Sequence, residues 1–290
     1  YARYISGHFF IFDMTKNFNC NTKYPLFFVH GMGFRDRKIC GYWGRIPKVL
    51  RKHGAEIFFG FQDANGSIED NCKILKKSLL KFISETGAEK VNIIAHSKGG
   101  IEARYLISTM GLGKYIASVT TMSTPHNGSV TMDKLMRLPK VLLRTGSRIF
   151  DVLMKICGDE NPQTYRCLEQ LTTRFMADFN RKNPNNKNIY YRSYAFKMKN
   201  PLSDVIMMIP CFAVMLMDGE SDGMLTPKEV AWGDFKGVYT GTGNRGISHP
   251  DEVDLRRMKF SRKNPHNKNE ISDIPEFYLE IISELKGMGY

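Results

Sequence analysis

Residues 91–100 read Val-Asn-Ile-Ile-Ala-His-Ser-Lys-Gly-Gly, which sets Ser97 between small residues, Ala95 two before it and Gly99 two after it. An apolar run that ends on a serine and turns at once into a helical pattern is how a nucleophile elbow is written. The turn is sharp and strained, and only small neighbours fit around it. Alone the pattern is weak: small-x-Ser-x-Gly arises by chance on the order of a few tenths of a time in a chain of this length. A serine in an ordinary turn would explain it as well. Three further features bear on the choice. The stretch Phe28-Val29-His30-Gly31-Met32-Gly33 ends an earlier apolar run in a loop whose amides could face the serine. A tetrahedral oxyanion needs two preorganised N–H donors, and the Met32 and Lys98 backbones are the natural pair. Downstream come Asp222, in Glu-Ser-Asp-Gly, and His249, in Ile-Ser-His-Pro-Asp. The order serine, acid, histidine is one in which a doubly wound sheet can present a nucleophile, its base and the group that orients the base. Both late residues lie in Gly- and Pro-rich loops. Asp218, four residues earlier, is an alternative acid.

The elements that would position these groups alternate. Residues 26–29, 55–61, 91–95 and 119–122 read as buried strands, and residues 43–53, a segment starting at Ser67, and residues 98–110 read as helices. The helix after Ser67 has Ile68, Cys72, Leu75, Leu79 and Phe82 at helical spacing, with Gly87 past its end. Such alternation argues for a mostly parallel, doubly wound sheet covered on both faces. It lapses between Asp133 and Asn180 into two mainly helical segments without a strand. There Arg137, Lys140, Arg144, Arg148, Asp151 and Lys155 recur every three or four residues in one stripe, with Leu142, Ile149, Leu153 and Ile156 on another face. A strand at 189–196 and a terminal helix at 276–286 complete the reading.

Composition narrows the class. The chain has 290 residues, 42% hydrophobic, with 19 Phe, 13 Tyr and 2 Trp, enough to fold around a core and too aromatic for a disordered chain. The longest apolar run, 205–217, holds 13 residues and Pro210, short of the ~18 a spanning helix needs. Its four Met could line an acyl pocket, or it could be ordinary core. The net charge of +13 leaves nucleic acid, a membrane surface or simple solubility open. Nucleic acid is not expected, because the basic stretch 259–268 has no aromatic after Phe260. The six Cys form no CxxC pair; Cys157 and Cys167 are spaced to close a short loop, or stay free with the rest. The sequence begins with Tyr1 and reads as trimmed, so the missing signal peptide does not bear on secretion.

Taken with its neighbours, the constellation resembles the bacterial true lipases (triacylglycerol lipases) of the α/β-hydrolase fold. The resemblance runs from about Tyr24 to Arg257. It rests on Tyr-Pro-Leu-Phe-Phe-Val-His-Gly-Met; Tyr42-Trp43-Gly44 with Ile46-Pro47; Lys90 to Ser97 with Arg104; Ser123-Thr-Pro-His-Asn-Gly-Ser; Asp222-Gly; and His249 with Asp251-Glu-Val. Ala95 stands where many relatives carry Gly. The resemblance implies one α/β-hydrolase domain over 1–290 with residues 131–180 inserted as a helical lid, and a secreted serine hydrolase cleaving lipid esters, most of all triacylglycerols. It assigns Ser97 as nucleophile, His249 as base, Asp222 as orienting acid, and the Met32 and Lys98 amides as oxyanion donors. No cofactor is needed for that chemistry. A structural calcium is implied beside the histidine loop, on Asp251 and, as a looser positional match, Asp204; calcium takes six to eight oxygens.

Within this frame the basic stripe would suit transient association with an anionic lipid surface, the helix containing it being a lid or an ordinary packing helix. Gly146 would weaken that helix by roughly 1 kcal/mol. His30 and His96 flank the site and are expected to serve loop geometry. The alternatives are a soluble-ester carboxylesterase or acyltransferase with the same triad and, more remotely, a non-catalytic lipid-binding protein. The sequence does not fix the oligomeric state.

Overall fold

The apolar runs assemble into the centre of one twisted sheet. The computed structural model describes residues 18–36, 41–200, 204, 219–260 and 267–290. Within these, seven parallel strands stand in the order β2-β1-β3-β4-β5-β6-β7. They are β1 (Leu26–Val29), β2 (Ile57–Phe59), β3 (Val91–His96), β4 (Ile116–Met122), β5 (Tyr190–Phe196), β6 (Asp234–Gly241) and β7 (Glu270–Ile271). The chain has the α/β-hydrolase fold.

Helices cover both faces, so the central strands β1, β3 and β4 are buried throughout and their apolar residues alternate between two cores. Leu26 and Phe28 of β1 and Ile94 of β3 face Trp43, α1 (Ile46–Lys52) and the terminal α9 (Ile274–Gly287). Phe27 and Val29 with Ile93 and Ala95 face α2 (Ile68–Thr86) and α3 (Lys98–Ser108). Helix α2 starts where Ser67 Oγ accepts the Asp70 amide and stops at Gly87 in the left-handed region (φ 71°).

The helix expected over 43–53 begins only at Ile46, because Gly44 (φ 48°) holds the preceding residues in a turn. The strand expected over 55–61 shortens to Ile57–Phe59. Strands β6 and β7 were not anticipated: β6 includes Gly237 and buries only its last residues, and β7 has two residues.

Four helices, not two segments, join β4 to β5: α4 (Val130–Leu135), α5 (Lys140–Ile156), α6 (Thr164–Gln170) and α7 (Thr173–Lys182). Helix α5 packs on Leu143, Ser147 and Met154. The apolar face picked out in the sequence points outward, with Leu142 61%, Ile149 69% and Ile156 78% exposed. Cys157 and Cys167 are free thiols, the second of the two alternatives that their spacing left open. Cys167 is turned into the protein, where its thiol donates to the Gly66 carbonyl at 2.9 Å and burial pushes it up to about 12. No helix of the described residues is long and apolar enough to cross a membrane. The run 205–217 and Asp218 lie outside the described residues. A short helix, α8 (Pro227–Val230), precedes β6.

Candidate active site

Parallel strands deliver their C-terminal ends to one edge, and the candidate residues gather there. Ser97 follows β3 and directly precedes α3, with φ 53° and ψ −130°, a conformation that costs a non-glycine residue on the order of 1–3 kcal/mol. Its amide donates to the Met122 carbonyl of neighbouring β4 at 2.9 Å, and Thr124 Oγ1 donates to its carbonyl at 2.8 Å. The need for small residues is steric: a Cβ at Gly99 would stand 2.4 Å from the Val29 carbonyl oxygen, and one at Gly100 2.2 Å from Thr124 Oγ1.

The loop after β1 lies against the serine, since a Cβ on Gly31 would be 2.8 Å from Ser97 Cβ. Met32 follows in that loop. Lys98 opens α3, so its N–H belongs to the helix-initial amides that have no intrahelical acceptor. The Lys98 side chain turns away and is buried, bonded to Glu102 and, at 2.9 Å, to the Gly66 carbonyl. His30 is held by the Gly31 and Gln62 carbonyls at 2.7 and 3.0 Å, which fits the loop role expected of it.

His249 and Asp222 meet. His249 Nδ1 lies 2.8 Å from Asp222 Oδ2, and Asp222 Oδ1 accepts the Met224 and Leu225 amides, each at 2.8 Å. Burial would raise the Asp222 carboxyl, but the His249 charge and hydrogen bonds from His249, Glu252 and the Leu225 amide outweigh it and bring it down to about 2. Asp222 is an anion bound to Nδ1, leaving Nε2 as the ring nitrogen for a proton acceptor's work. The His249 ring lies 4.4 Å from that of His96, the residue before Ser97.

A buried polar network lies behind these groups. Tyr42 Oη is 2.6 Å from His96 Nδ1, His96 Nε2 is 3.2 Å from Glu252 Oε2, and Ser123 Oγ donates to Glu252 Oε1 at 2.8 Å. Burial first, then the Asp222 charge, hold the Glu252 carboxyl well above its ordinary range. Burial and His249 push His96 well below its ordinary range, so it is a neutral ring. Among the described residues, His96, His249 and Glu252 bring one potential ligand atom each within 4.8 Å, but all three are engaged in this network. Glu252 and Ser123 were not singled out individually, although both lie inside the quoted motifs. The Tyr42-Trp43-Gly44 turn also holds the histidine loop: a Cβ at Gly44 would be 2.1 Å from the Asp254 carbonyl oxygen, and Arg45 binds Asp254 at 2.6 and 2.8 Å.

Asp204 and Asp251 do come together, but around two arginines. Arg256 reaches Asp204 Oδ1 at 2.6 Å and Asp251 Oδ1 at 2.9 Å; Arg245 lies 2.9 Å from Asp251 Oδ2 and 3.6 Å from Asp204 Oδ2. All four carboxylate oxygens face guanidinium nitrogens, and a cation there would meet two fixed positive charges. These residues do not fit the calcium expected on them.

A cavity of about 620 Å³ opens beside the loop after β1, walled by Gly33 and Phe34, by Phe150, Leu153 and Met154 of α5, and by Leu255 after the histidine loop. That is the size and character of a site for an apolar ligand.

Comparison with known proteins places the chain. It is 29% identical over 263 residues to triacylglycerol lipase 2 of Saccharomyces cerevisiae, covering 86% of this chain and 74% of that protein. It is 30% identical over 177 residues to a triacylglycerol lipase of Pseudarthrobacter phenanthrenivorans, covering 56% of this chain and 54% of that one, so it spans about half of that bacterial relative. The fold is similar to the crystal structure of Staphylococcus hyicus lipase, with TM-score 0.65, 19% identity, and coverage of 92% of this chain and 96% of that one. The family described as palmitoyl protein thioesterase matches residues 25–244. The chain belongs to the palmitoyl protein thioesterase family and is a lipase-type carboxylic ester hydrolase of the α/β-hydrolase fold.

Proposed function

We propose that the chain hydrolyses acylglycerol esters through an acyl-enzyme, with Ser97 as nucleophile, His249 as general base and acid, and Asp222 as the group that orients His249. The observation that carries this reading is the strained Ser97 at the β3–α3 junction, in a chain whose His249 is tied to Asp222 at 2.8 Å. Ser97 Oγ attacks the ester carbonyl carbon and its proton passes to His249 Nε2. The tetrahedral oxyanion is received by the Met32 and Lys98 amides. Collapse breaks the ester C–O bond, and the alcohol leaves with the proton from His249. Water, deprotonated by His249, then attacks the acyl-enzyme; the fatty acid departs and Ser97 regains its proton.

Three features support a lipid substrate. The apolar cavity beside the oxyanion loop is large enough for an acyl chain. Both relatives described above are named triacylglycerol lipases. Helix α5 presents Val141, Leu142, Ile149 and Ile156 to solvent, with Lys140, Arg144, Arg148 and Lys155 on the adjoining face. In this reading the 131–180 helices are a lid whose outer face meets an anionic lipid surface.

The family description favours a second substrate, an acyl thioester, which the same residues would cleave with a thiolate leaving group. Initial rates on p-nitrophenyl esters of rising chain length, on a long-chain acyl thioester, and on triacylglycerol below and above its solubility limit separate the readings. A rate jump at the emulsion is expected. A flat response with preference for short esters would make the protein a soluble-ester esterase, and a dominant rate on the thioester would give it the thioesterase substrate.

A further inference from the structure

We propose that Arg245 and Arg256 do the work of a divalent cation beside the histidine loop, clamping Asp251 to Asp204 and so positioning His249 without metal. The charge is equivalent, because two guanidinium groups bring the same +2 to two carboxylates that one calcium ion would. The geometry differs: an ion gathers oxygens around a point, whereas each planar guanidinium offers a fork of N–H donors that can span two acceptors.

Arg256 uses both arms in this way, Nη2 on Asp204 Oδ1 at 2.6 Å and Nη1 on Asp251 Oδ1 at 2.9 Å. Arg245 Nη2 takes the remaining oxygen of Asp251 at 2.9 Å. Both carboxylates are buried, Asp204 2% and Asp251 3% exposed, and buried carboxylates hold a fixed geometry only when paired.

The clamp bears directly on His249. Asp251 Oδ2 accepts from Ser248 Oγ at 2.7 Å, Arg256 Nη1 donates to the same hydroxyl at 3.1 Å, and the Asp251 amide returns to the Ser248 carbonyl at 2.8 Å. The turn closed by these bonds contains His249. Arg245 is set by backbone: Lys199 N–H donates to its carbonyl at 3.1 Å, and a Cβ on the next residue, Gly246 (φ 77°), would lie 2.3 Å from that same Lys199 nitrogen. Arg245 and Arg256 are therefore positioning residues that act through the 248–251 turn.

The catalytic part of this inference rests on the Ser97–His249 reading, so the test has one arm that needs no turnover. The full chain is titrated with calcium by calorimetry and unfolded thermally in excess EGTA and in millimolar calcium. The expected result is no stoichiometric binding and the same midpoint in both; a bound ion, or a midpoint lowered by EGTA, would overturn the proposal. In the second arm, R256A and R256K are compared with wild type by kcat per serine titrated with a fluorophosphonate. R256A is expected to lose on the order of ten- to a hundredfold in kcat with KM nearly unchanged, as for a small misplacement of a reacting group. R256K keeps the charge but loses the fork and is expected to recover part of it. Unchanged kcat per titrated serine in R256A would mean that Arg256 only stabilises the fold and would overturn the positioning role; should R256A not fold, R256K matching wild type would do the same. If no variant and no wild type turns over ester, the triad reading fails while the calcium arm still decides the clamp.

Discussion

His249 and Asp222 are tied twice: His249 Nδ1 lies 2.8 Å from Asp222 Oδ2, and the His249 amide donates to the Asp222 carbonyl at 2.9 Å. The side-chain bond sets the tautomer and the backbone bond sets the loop that carries it. Asp222→Asn would keep the second and corrupt the first, because an amide can donate to Nδ1 and so favour the wrong tautomer. The expected outcome is a loss in kcat of about 10⁴ with the unfolding midpoint little changed, checked by ester kinetics beside a thermal melt.

Glu252 gives a pH signature. Its carboxyl is raised well above 4.5 by burial and the Asp222 charge, so above that pH folding takes up a proton. The stability it contributes is complete below 4.5 and falls as pH rises toward its folded value, by about 1.4 kcal/mol per pH unit. Asp222 runs the other way: its contribution is present above the ordinary value of 3.8 and is lost as pH falls through about 2. His96, lowered from 6.5, adds a slope of the opposite sign below that pH, so Glu252 is read from the difference between wild type and Glu252→Gln. Urea midpoints taken upward from pH 4.5 should fall relative to those of Glu252→Gln; parallel profiles for the two proteins would contradict the raised carboxyl.

Two glycines should respond in opposite directions to alanine. At Gly99 the new Cβ would stand 2.4 Å from the Val29 carbonyl oxygen and 2.5 Å from that of His30, so G99A should lose about 1–3 kcal/mol of stability and much of the activity. At Gly146 a Cβ meets nothing within 4 Å, and G146A should gain roughly 1 kcal/mol. Denaturant titration of both variants checks the signs.

Arg144 and Arg148 are exposed beside the outward apolar face of α5, although the Arg144 guanidinium also lies 5.4 Å over the Tyr165 ring. Reversing both charges should weaken binding to anionic vesicles by roughly 1 kcal/mol per charge removed and leave binding to zwitterionic vesicles nearly unchanged. Equal binding before and after reversal, by vesicle co-sedimentation, would reduce the +13 to a matter of solubility.

Much of this was legible in the sequence because local rules suffice where one strand meets one helix. The β3–Ser97–α3 junction, the Ser67 cap and the paired strand faces follow from patterns a few residues long. Strands β6 and β7 did not, since β6 buries only its last two residues and the edge strand β7 has only two residues, too little for either to need a continuous apolar run. The orientation of α5 was left open for a related reason: amphipathicity reveals an apolar stripe but not whether protein or solvent faces it, and here the packing face is the narrow Leu143–Ser147–Met154 line. The Arg256–Asp204 arm of the clamp and the Tyr42–His96–Glu252 chain join residues 52 to 156 positions apart, and no local spacing encodes such meetings.

The central claim, that Ser97 is the nucleophile, is tested most directly by labelling the protein with a fluorophosphonate and locating the adduct by peptide mass spectrometry. The account predicts a single adduct on Ser97, and in Ser97→Ala no adduct and no ester cleavage with an unchanged circular dichroism spectrum. An adduct on any other residue, or turnover retained by the folded Ser97→Ala variant, would contradict it.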